Sequence, residues 1–168
     1  MKLSKIFSSV ALICLMVTAC QPEKLKSYVD IEANANLVAI SGTWKLVKVV
    51  QTDNDAAKKG FPYQTMDITS AFAYTTATMT FNLSAGAPTT FAINNGTAPG
   101  VVAITTGNWT VDNAKAPQVI TLTNGAVSEK LTLGSYPNAV SPNLKVRVTR
   151  SDVVTGKVLV TYDYEYSR

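Results

Sequence analysis

Asp163 and Glu165 are the residues whose spacing comes nearest to that of a catalytic pair. Glycoside hydrolysis needs two carboxyl groups about 5–10 Å apart, and residues i and i+2 of a strand meet that spacing. The alternation around them predicts a final strand over 157–166, with Lys157 and Thr161 on the same face as the carboxylates. We expect this face to point to solvent, opposite an apolar face.

Other chemistry is restricted by composition, because the chain contains no histidine. Ser-His-Asp and Cys-His nucleophilic sites, imidazole zinc sites and a histidine general base are therefore excluded. The segment Asp53-Asn54-Asp55 is similar to the start of a calcium loop, but Ala57 follows, and the glycine and the distal glutamate are missing. We predict a solvated turn there, and a protein that is not an enzyme and uses neither metal nor cofactor.

The last strand also carries an apolar and aromatic stripe, because strand side chains alternate between two faces. Its members are Val158, Val160, Tyr162, Tyr164 and Tyr166. One interpretation is core, with the tyrosine hydroxyls reaching a barrel mouth or neighbouring backbone. The other is the wall of a site for a small amphipathic ligand, since tyrosine combines an apolar face with a polar tip. The candidate ligand-binding residues are Tyr162, Tyr164, Tyr166, Trp109 and Phe81.

The N-terminus has the layout of a secretory signal peptide. A lysine-containing start precedes an apolar run from Ile6 to Val17, and small residues lead to Cys20. The run is too short for a spanning helix, which needs about 20 apolar residues. Val17-Thr18-Ala19-Cys20 resembles a bacterial lipobox, in which the thiol receives diacylglycerol and the chain is cut before the cysteine. We therefore predict that Cys20 is a lipid anchor.

These features divide the chain into a signal peptide (1–19), a lipidated N-terminus and tether (20–40) and one folded domain (41–168). A short helix is expected near the end of the tether, around 33–39. The other cysteine, Cys14, leaves with the signal peptide, so no disulfide is expected. The net charge of +4 comes with no basic cluster, which argues against a nucleic-acid partner. The oligomeric state is not predicted.

Beyond the tether the hydrophobic period becomes two, which is typical of strands. Asn124-Gly125 between two alternating runs predicts a type I′ hairpin, and Asn95-Gly96 is a second candidate. The predicted strands are 43–50, 76–83, 89–93, 101–106, 108–111, 119–123, 127–133, 144–149 and 157–166.

Eight or nine short strands joined mostly by turns predict an all-β antiparallel meander. Closing it into an up-and-down barrel removes the exposed edges, so we predict a barrel of about eight strands, with a two-sheet β-sandwich as the alternative. Small side chains at expected inward positions, such as Ala103, Thr121 and Val148, favour a cavity.

Two Gly-x-Trp elements carry a family resemblance: Gly42-Thr43-Trp44 and Gly107-Asn108-Trp109. In lipocalins such an element opens the first barrel strand, with the tryptophan closing one end and the glycine allowing the chain to pack against it. A late arginine stacks over that tryptophan in lipocalins, and Arg147 and Arg150 are the candidates here.

With these two elements and the lipobox-like segment, the chain resembles the lipocalin-like lipoproteins of gut anaerobic Gram-negative bacteria. The segments 67–72 and 77–82 are similar to one such family, whose function is uncharacterised. The resemblance covers roughly 41–166 and implies a lipocalin-like barrel, but no particular ligand.

Two functions follow as hypotheses. A ligand-binding barrel requires a cavity of a few hundred Å³, whereas an accessory subunit of an outer-membrane complex requires a filled interior and an exposed apolar patch. Gln21 stands where lipoproteins retained at the inner membrane of enteric bacteria commonly carry aspartate. We therefore expect the outer membrane, facing either the periplasm or the cell surface.

Overall fold

The computed structural model of this protein describes residues 33–62, 64–138 and 140–168. The predicted signal peptide and Cys20 lie outside this part of the chain. The helical elements are α1 (Ala33–Ile40), α2 (Asn54–Lys58) and a 3₁₀ turn (Tyr74–Thr76). The strands are β1 (Gly42–Asp53), β2 (Thr65–Asp67), β3 (Thr78–Ser84), β4 (Ala87–Asn94), β5 (Thr106–Val111), β6 (Val119–Asn124), β7 (Val127–Ser135), β8 (Leu144–Ser151) and β9 (Val158–Ser167).

The strands form an antiparallel up-and-down barrel. From β3 to β9 each strand pairs with the next, and β9 returns to β1, which also pairs with β3. These eight strands close the barrel, and β2 is an extra strand on β1. The predicted barrel is confirmed, and the sandwich alternative is wrong because the β1–β9 pairing leaves no gap between two sheets.

The two ends of the barrel differ. We call the end where β1 begins and β9 finishes the closed end, because α1 covers it with Leu37 and Ile40, both buried. The opposite, open end carries the β4–β5 loop (95–105) and the β8–β9 loop (152–157). The helix expected near 33–39 is thus confirmed, and it packs on the barrel through Leu37 and Ile40. No helix of the described chain is long and apolar enough to span a bilayer.

Trp44 joins α1 to the barrel at the closed end. Its indole Nε1 donates to the Ile40 carbonyl at 2.7 Å, and the side chain is fully buried. The guanidinium of Arg168 lies 4.3 Å from the centre of its ring and donates to the carbonyls of Ala39 and Ser41. The arginine over the first tryptophan is therefore the last residue of the chain.

Neither of the two arginines proposed for that role reaches Trp44. Arg147 points outward from β8 and binds Asp163, with Nε–Oδ1 and Nη2–Oδ2 distances of 2.6 and 3.0 Å. Arg150 lies near the end of β8, and its Nη2 donates to the Val101 carbonyl at 3.0 Å. Both predictions were wrong because β8 runs towards the open end, whereas Arg168 follows β9 to the closed end.

Large side chains fill the barrel interior from the closed end inward. Ala103 and Thr121, expected to point inward, do not create space there. Ala103 lies exposed in a loop, and Thr121 alternates with the buried Ile120 and Leu122; of the three small residues only Val148 is buried. The bulkiest fully buried side chains are Trp44, Trp109, Tyr166, Phe81, Ile40 and Leu46.

The turns follow the sequence signals only in part. The hairpin between β6 and β7 is confirmed, but Asn124 still pairs with Val127, so Gly125 and Ala126 form the turn. Gly125 has φ +57° and Ala126 does not have positive φ, which matches a glycine-first type II′ turn rather than type I′. The prediction of a second hairpin at Asn95-Gly96 was wrong.

The β4–β5 loop (95–105) replaces both that hairpin and the predicted strand at 101–106. Its residues Val101 and Val102 are buried although they belong to no strand. Two valines followed by an alanine have the composition expected of a strand. Here the valines are buried because the loop folds onto the core. The strand begins only at Thr106.

Candidate functional site

The open end of the barrel holds a pocket of about 240 Å³, which we call the mouth pocket. It lies between β1, the β2–β3 connection, the β4–β5 loop and the last two strands. The side chains that matter for its chemistry are Gln51, Phe72, Tyr74, Arg150, Tyr162 and Tyr164.

Strand register explains why these side chains meet. Tyr162 pairs with Gln51 of β1 on one side and with Val148 of β8 on the other. Tyr164 is one step deeper on the same face and is buried. By strand alternation, Arg150 shares the inward face with Val148 and stands one step nearer the rim. The inward faces of β1 and β8 therefore change from apolar to polar towards the mouth, at Gln51 and Arg150.

The aromatic rings of the pocket contact one another. Tyr162 and Tyr164 stack, with ring centroids 6.1 Å apart and an interplanar angle of 25°. Tyr74 meets Tyr164 edge-on at 6.5 Å and Phe72 at 5.6 Å. Tyr74 is buried, whereas Phe72 is 52% exposed. The cluster thus runs from the core to the surface and offers ring faces and edges to a ligand.

Burial keeps the deeper phenols neutral. It raises the pKa of Tyr164 well above its usual value, and the nearby Tyr74 adds to this, while the Arg150 cation opposes it. Burial also raises the pKa of Tyr74, with a smaller contribution from Tyr162. These phenols therefore act as hydrogen-bonding groups and not as phenolate nucleophiles at neutral pH.

The β4–β5 loop is held to the rim by two charged side chains. Arg150 donates to the Val101 carbonyl at 3.0 Å. The carboxylate oxygens of Glu129 accept from the Ala103 N–H at 3.1 and 3.0 Å. With Val102 buried between these anchors, the loop forms one wall of the mouth pocket.

Of the five residues predicted to bind a ligand, the structure brings two, Tyr162 and Tyr164, to the mouth pocket. Phe81 and Trp109 pack against each other at 5.0 Å, and the indole Nε1 donates to the Asn82 carbonyl at 2.8 Å. Tyr166 is fully buried, and this burial raises the pKa of its hydroxyl strongly. These three side chains form the core near the closed end.

The residues of the Gly-x-Trp elements are structural. Gly42 has φ +104°, and its Cα faces the guanidinium of Arg168, which covers Trp44. Gly107 has φ +147° and lies against the backbone of Thr123 on β6. Cys20, the predicted lipid anchor, lies outside the described residues.

Sequence reasoning missed Gln51, Phe72 and Tyr74 as pocket residues. Gln51 follows an irregularity in the β1–β9 pairing between Leu46 and Lys48, which shifts the alternation of β1. Phe72 and Tyr74 belong to the irregular connection before β3. The alternation pattern assigns no facing direction to residues in such a segment.

The carboxylates of Asp163 and Glu165 lie on the outer face of the barrel, as predicted. Asp163 pairs with Arg147, and Glu165 binds Lys145 Nζ at 3.3 Å and Asn143 Nδ2 at 2.6 Å. The bond from Asn143, followed by the interactions with Lys145, lowers the pKa of Glu165. A glycosidase acid needs a raised pKa, so Glu165 does not have the property that role requires.

These side chains line an outer groove of about 330 Å³ across β1, β9, β8 and β7. Although this groove is larger than the mouth pocket, its charged groups already bind one another. Lys48 also lies 3.8 Å from Asp67. Exposed pairs of this kind contribute about 0–1 kcal/mol each, and they leave the groove without a cluster of side chains directed at a common point.

The segment Asp53-Asn54-Asp55, predicted to form a solvated turn, instead begins a short helix. Asp53 Oδ1 accepts from the backbone N–H groups of Asp55 and Ala56 at 2.9 and 3.0 Å, which caps α2. Asp55 pairs with Lys157 at 2.5 Å, and the hydrogen bond from Lys157 is the main cause of its lowered pKa. Residues 53–55 therefore begin a short helix on the rim.

Comparison with known proteins gives a family. Searches of the curated proteins and of the solved structures find no match to this chain. The family described as "Domain of unknown function (DUF5004)" matches residues 22–166, a range that includes α1 and nearly the whole barrel. The chain therefore belongs to the DUF5004 family.

Proposed function

We propose that this protein is a lipocalin-like lipoprotein that binds a small amphipathic ligand at the mouth pocket. The observation that carries the proposal is the convergence of Tyr74, Tyr162 and Tyr164 with Arg150 around one concave site at the open end. Aromatic faces beside a few polar groups are the usual composition of small-molecule sites. The arrangement of Arg168 over Trp44 supports the lipocalin-like part.

The size of the pocket restricts the ligand. Its volume of about 240 Å³ lies just below the range of roughly 300–1,000 Å³ typical of small-molecule pockets. Because Trp109, Phe81 and Tyr166 fill the interior towards the closed end, a ligand stays near the mouth. The proposed ligand is therefore a molecule of one or two rings, or one end of a longer amphipathic molecule.

Replacing Tyr162 by alanine is expected to weaken binding of 2-naphthamide, a neutral two-ring probe, about tenfold. The variant loses the ring that stacks on Tyr164 at 6.1 Å, and aromatic contacts of this kind contribute about 1 kcal/mol beyond area burial. Isothermal titration calorimetry on the full chain measures the affinity.

Tyr136→Ala is the matched control, because Tyr136 is also partly buried against the core but follows β7 at the closed end. Equal affinities in the wild type and Tyr162→Ala would contradict the proposed site. Native mass spectrometry of the detergent-extracted protein adds a second readout, in which a co-purified small molecule supports the ligand-binding function.

Membrane attachment is proposed to depend on Cys20. Replacement by serine removes the only sulfur that the proposed acyl transfer uses in this segment, and stable anchoring depends on the acyl chains. We expect Cys20→Ser to move from the membrane to the soluble fraction on cell fractionation, while Cys14→Ser remains attached. Retention of the Cys20 variant in the membrane would refute the anchor.

The proposed location is the outer membrane, facing either the periplasm or the outside. The chain enters the barrel through α1 at the closed end, which is the opposite end from the mouth pocket. Protease treatment of intact cells distinguishes the two orientations, since only a surface-exposed domain is cleaved.

An accessory role in an outer-membrane complex is the second candidate. One observation favours it: the open end carries exposed apolar side chains on separate loops, with Phe61 56%, Val153 99% and Val154 93% exposed. Contiguous exposed apolar patches mark interaction surfaces, and these side chains are proposed to form one. A bare protein mass in native mass spectrometry, together with no binding of 2-naphthamide, would favour this role over ligand binding.

A further inference from the structure

The mouth pocket has an uneven distribution of charge. Among the described residues that line it, Arg150 is the one with a charged side chain; the others are aromatic, aliphatic or neutral polar. The cation stands at the rim, one alternate position beyond Val148, while Tyr164 lies deeper. A molecule entering the pocket therefore meets apolar rings below and a positive charge above.

Arg150 differs from the other two arginines in what it binds. Arg147 is paired with the carboxylate of Asp163, and Arg168 lies on Trp44. Arg150 binds the neutral carbonyl of Val101 through Nη2. Within the described chain, none of the salt bridges involves Arg150, so its guanidinium is not engaged in a direct ion pair there.

Glu129, an acidic residue that binds the same loop, is already engaged. Both carboxylate oxygens of Glu129 accept from the Ala103 N–H. That contact holds the β4–β5 loop two residues after the Arg150–Val101 bond. The loop is therefore fixed by two separate hydrogen bonds, and the guanidinium of Arg150 keeps further N–H donors in its planar fork for a ligand.

We propose that the mouth pocket selects ligands carrying an oxyanion, such as a carboxylate or sulfonate, on a flat apolar body, with Arg150 binding the anionic group. This inference rests on the proposed ligand-binding function. The body stacks on Tyr162, and the oxyanion takes up two N–H donors of the fork. Guanidinium is the side-chain group best matched to such a planar, bidentate contact.

The test uses two probes that differ in charge and in one polar atom of the head group. 2-Naphthoate and 2-naphthamide have the same ring system and nearly the same shape, and both are titrated into the full chain by calorimetry. The wild type is expected to bind the naphthoate at least tenfold more tightly, because hydrogen bonds to charged groups are about twice as strong as neutral ones.

Variants assign that preference to Arg150. Arg150→Gln should bring the naphthoate affinity down to that of the naphthamide, both measured in the same variant. Arg150→Lys keeps the charge but loses the fork. Its preference for the naphthoate should therefore lie between those of the wild type and Arg150→Gln. Arg147→Gln is the control: it removes a cation from the same strand, on the outer face, and should change neither affinity.

The outcomes separate this inference from the proposed function. Equal affinities of the wild type for both probes, or an unchanged preference in Arg150→Gln, would overturn the oxyanion inference while ligand binding stands. Loss of the preference in Arg147→Gln as well would mean that general surface charge, not the pocket, attracts the anion. Failure of both probes to bind would overturn the proposed function itself.

Discussion

Gly107→Ala is expected to destabilise the barrel by about 3 kcal/mol. An alanine Cβ there would lie well under 3.0 Å from the Thr123 carbonyl oxygen of β6 and 3.2 Å from the Asn124 Cβ. Those are backbone-fixed neighbours, and the adjacent pair Asn108–Thr123 belongs to the β5–β6 ladder. Relief requires the two strands to separate, and overpacking alone costs about 1–3 kcal/mol.

Backbone strain adds to the clash, since Gly107 has φ +147° and such conformations cost side-chain-bearing residues about 1–3 kcal/mol. Gly125→Ala separates the two effects. Gly125 also has positive φ, +57°, but no described atom lies within 4 Å of a Cβ placed there. Urea unfolding followed by tryptophan fluorescence should show a loss of about 1 kcal/mol for the control. Equal losses in the two variants would contradict the close approach to Thr123.

Trp44→Ala is expected to cost about 3–5 kcal/mol, the usual range for removing a fully buried large aromatic side chain. Trp44 is 0% exposed, and its indole donates to the Ile40 carbonyl at 2.7 Å. The variant therefore loses packing and also the bond that attaches α1 to the barrel. A small domain has about 5–15 kcal/mol of stability in total, so the midpoint of urea unfolding should fall sharply.

Trp44→Phe and Arg168→Met test how this loss is distributed. The phenylalanine keeps a ring under the guanidinium but lacks the indole N–H. Arg168→Met removes the cation, which lies 4.3 Å from the ring centre, and its bonds to two carbonyls. A double-mutant cycle of Trp44→Ala with Arg168→Met should give a coupling of about 0.5–1 kcal/mol, the size of an exposed cation–π contact. Additive effects would show that the stack contributes nothing beyond burial.

The barrel itself follows from local patterns. Alternation of apolar and polar residues identified strands close to β3, β6, β7, β8 and β9, because a period of two is a property of the strand alone. Hiding the edges of so long a meander then favoured closure. The bounds differed by a few residues, and β2, with three exposed residues, was missed because it buries no face that alternation could mark.

Errors concentrate where a distant part of the chain decides the outcome. Val101 and Val102 fit a strand by composition, yet they are buried from a loop that Arg150 and Glu129 hold to the rim. The arginine over Trp44 was sought on β8, but the direction of each strand determines which end its charged residues reach. Arg168 meets Trp44 because β9 pairs with β1 in the antiparallel direction.

The candidate site shows the same division. The stripe of tyrosines on β9 was read correctly as one face, but only the closed barrel separates Tyr162, at the mouth, from Tyr166, in the core. The other pocket residues come from segments without a period. Gln51 depends on the irregular pairing of β1, and Tyr74 on a 3₁₀ turn.

From its amino-acid order alone, this chain predicts an all-β domain and a lipobox-like N-terminus, and this sequence lacks the histidine that many catalytic and metal sites need. Such properties depend on residue types and on neighbours a few positions apart. The tertiary structure decided whether the barrel interior is open or filled. It also decided which cation lies beside the tyrosines of the mouth pocket. Both depend on side chains from strands far apart in the chain, whose register and direction arise only when β9 closes onto β1.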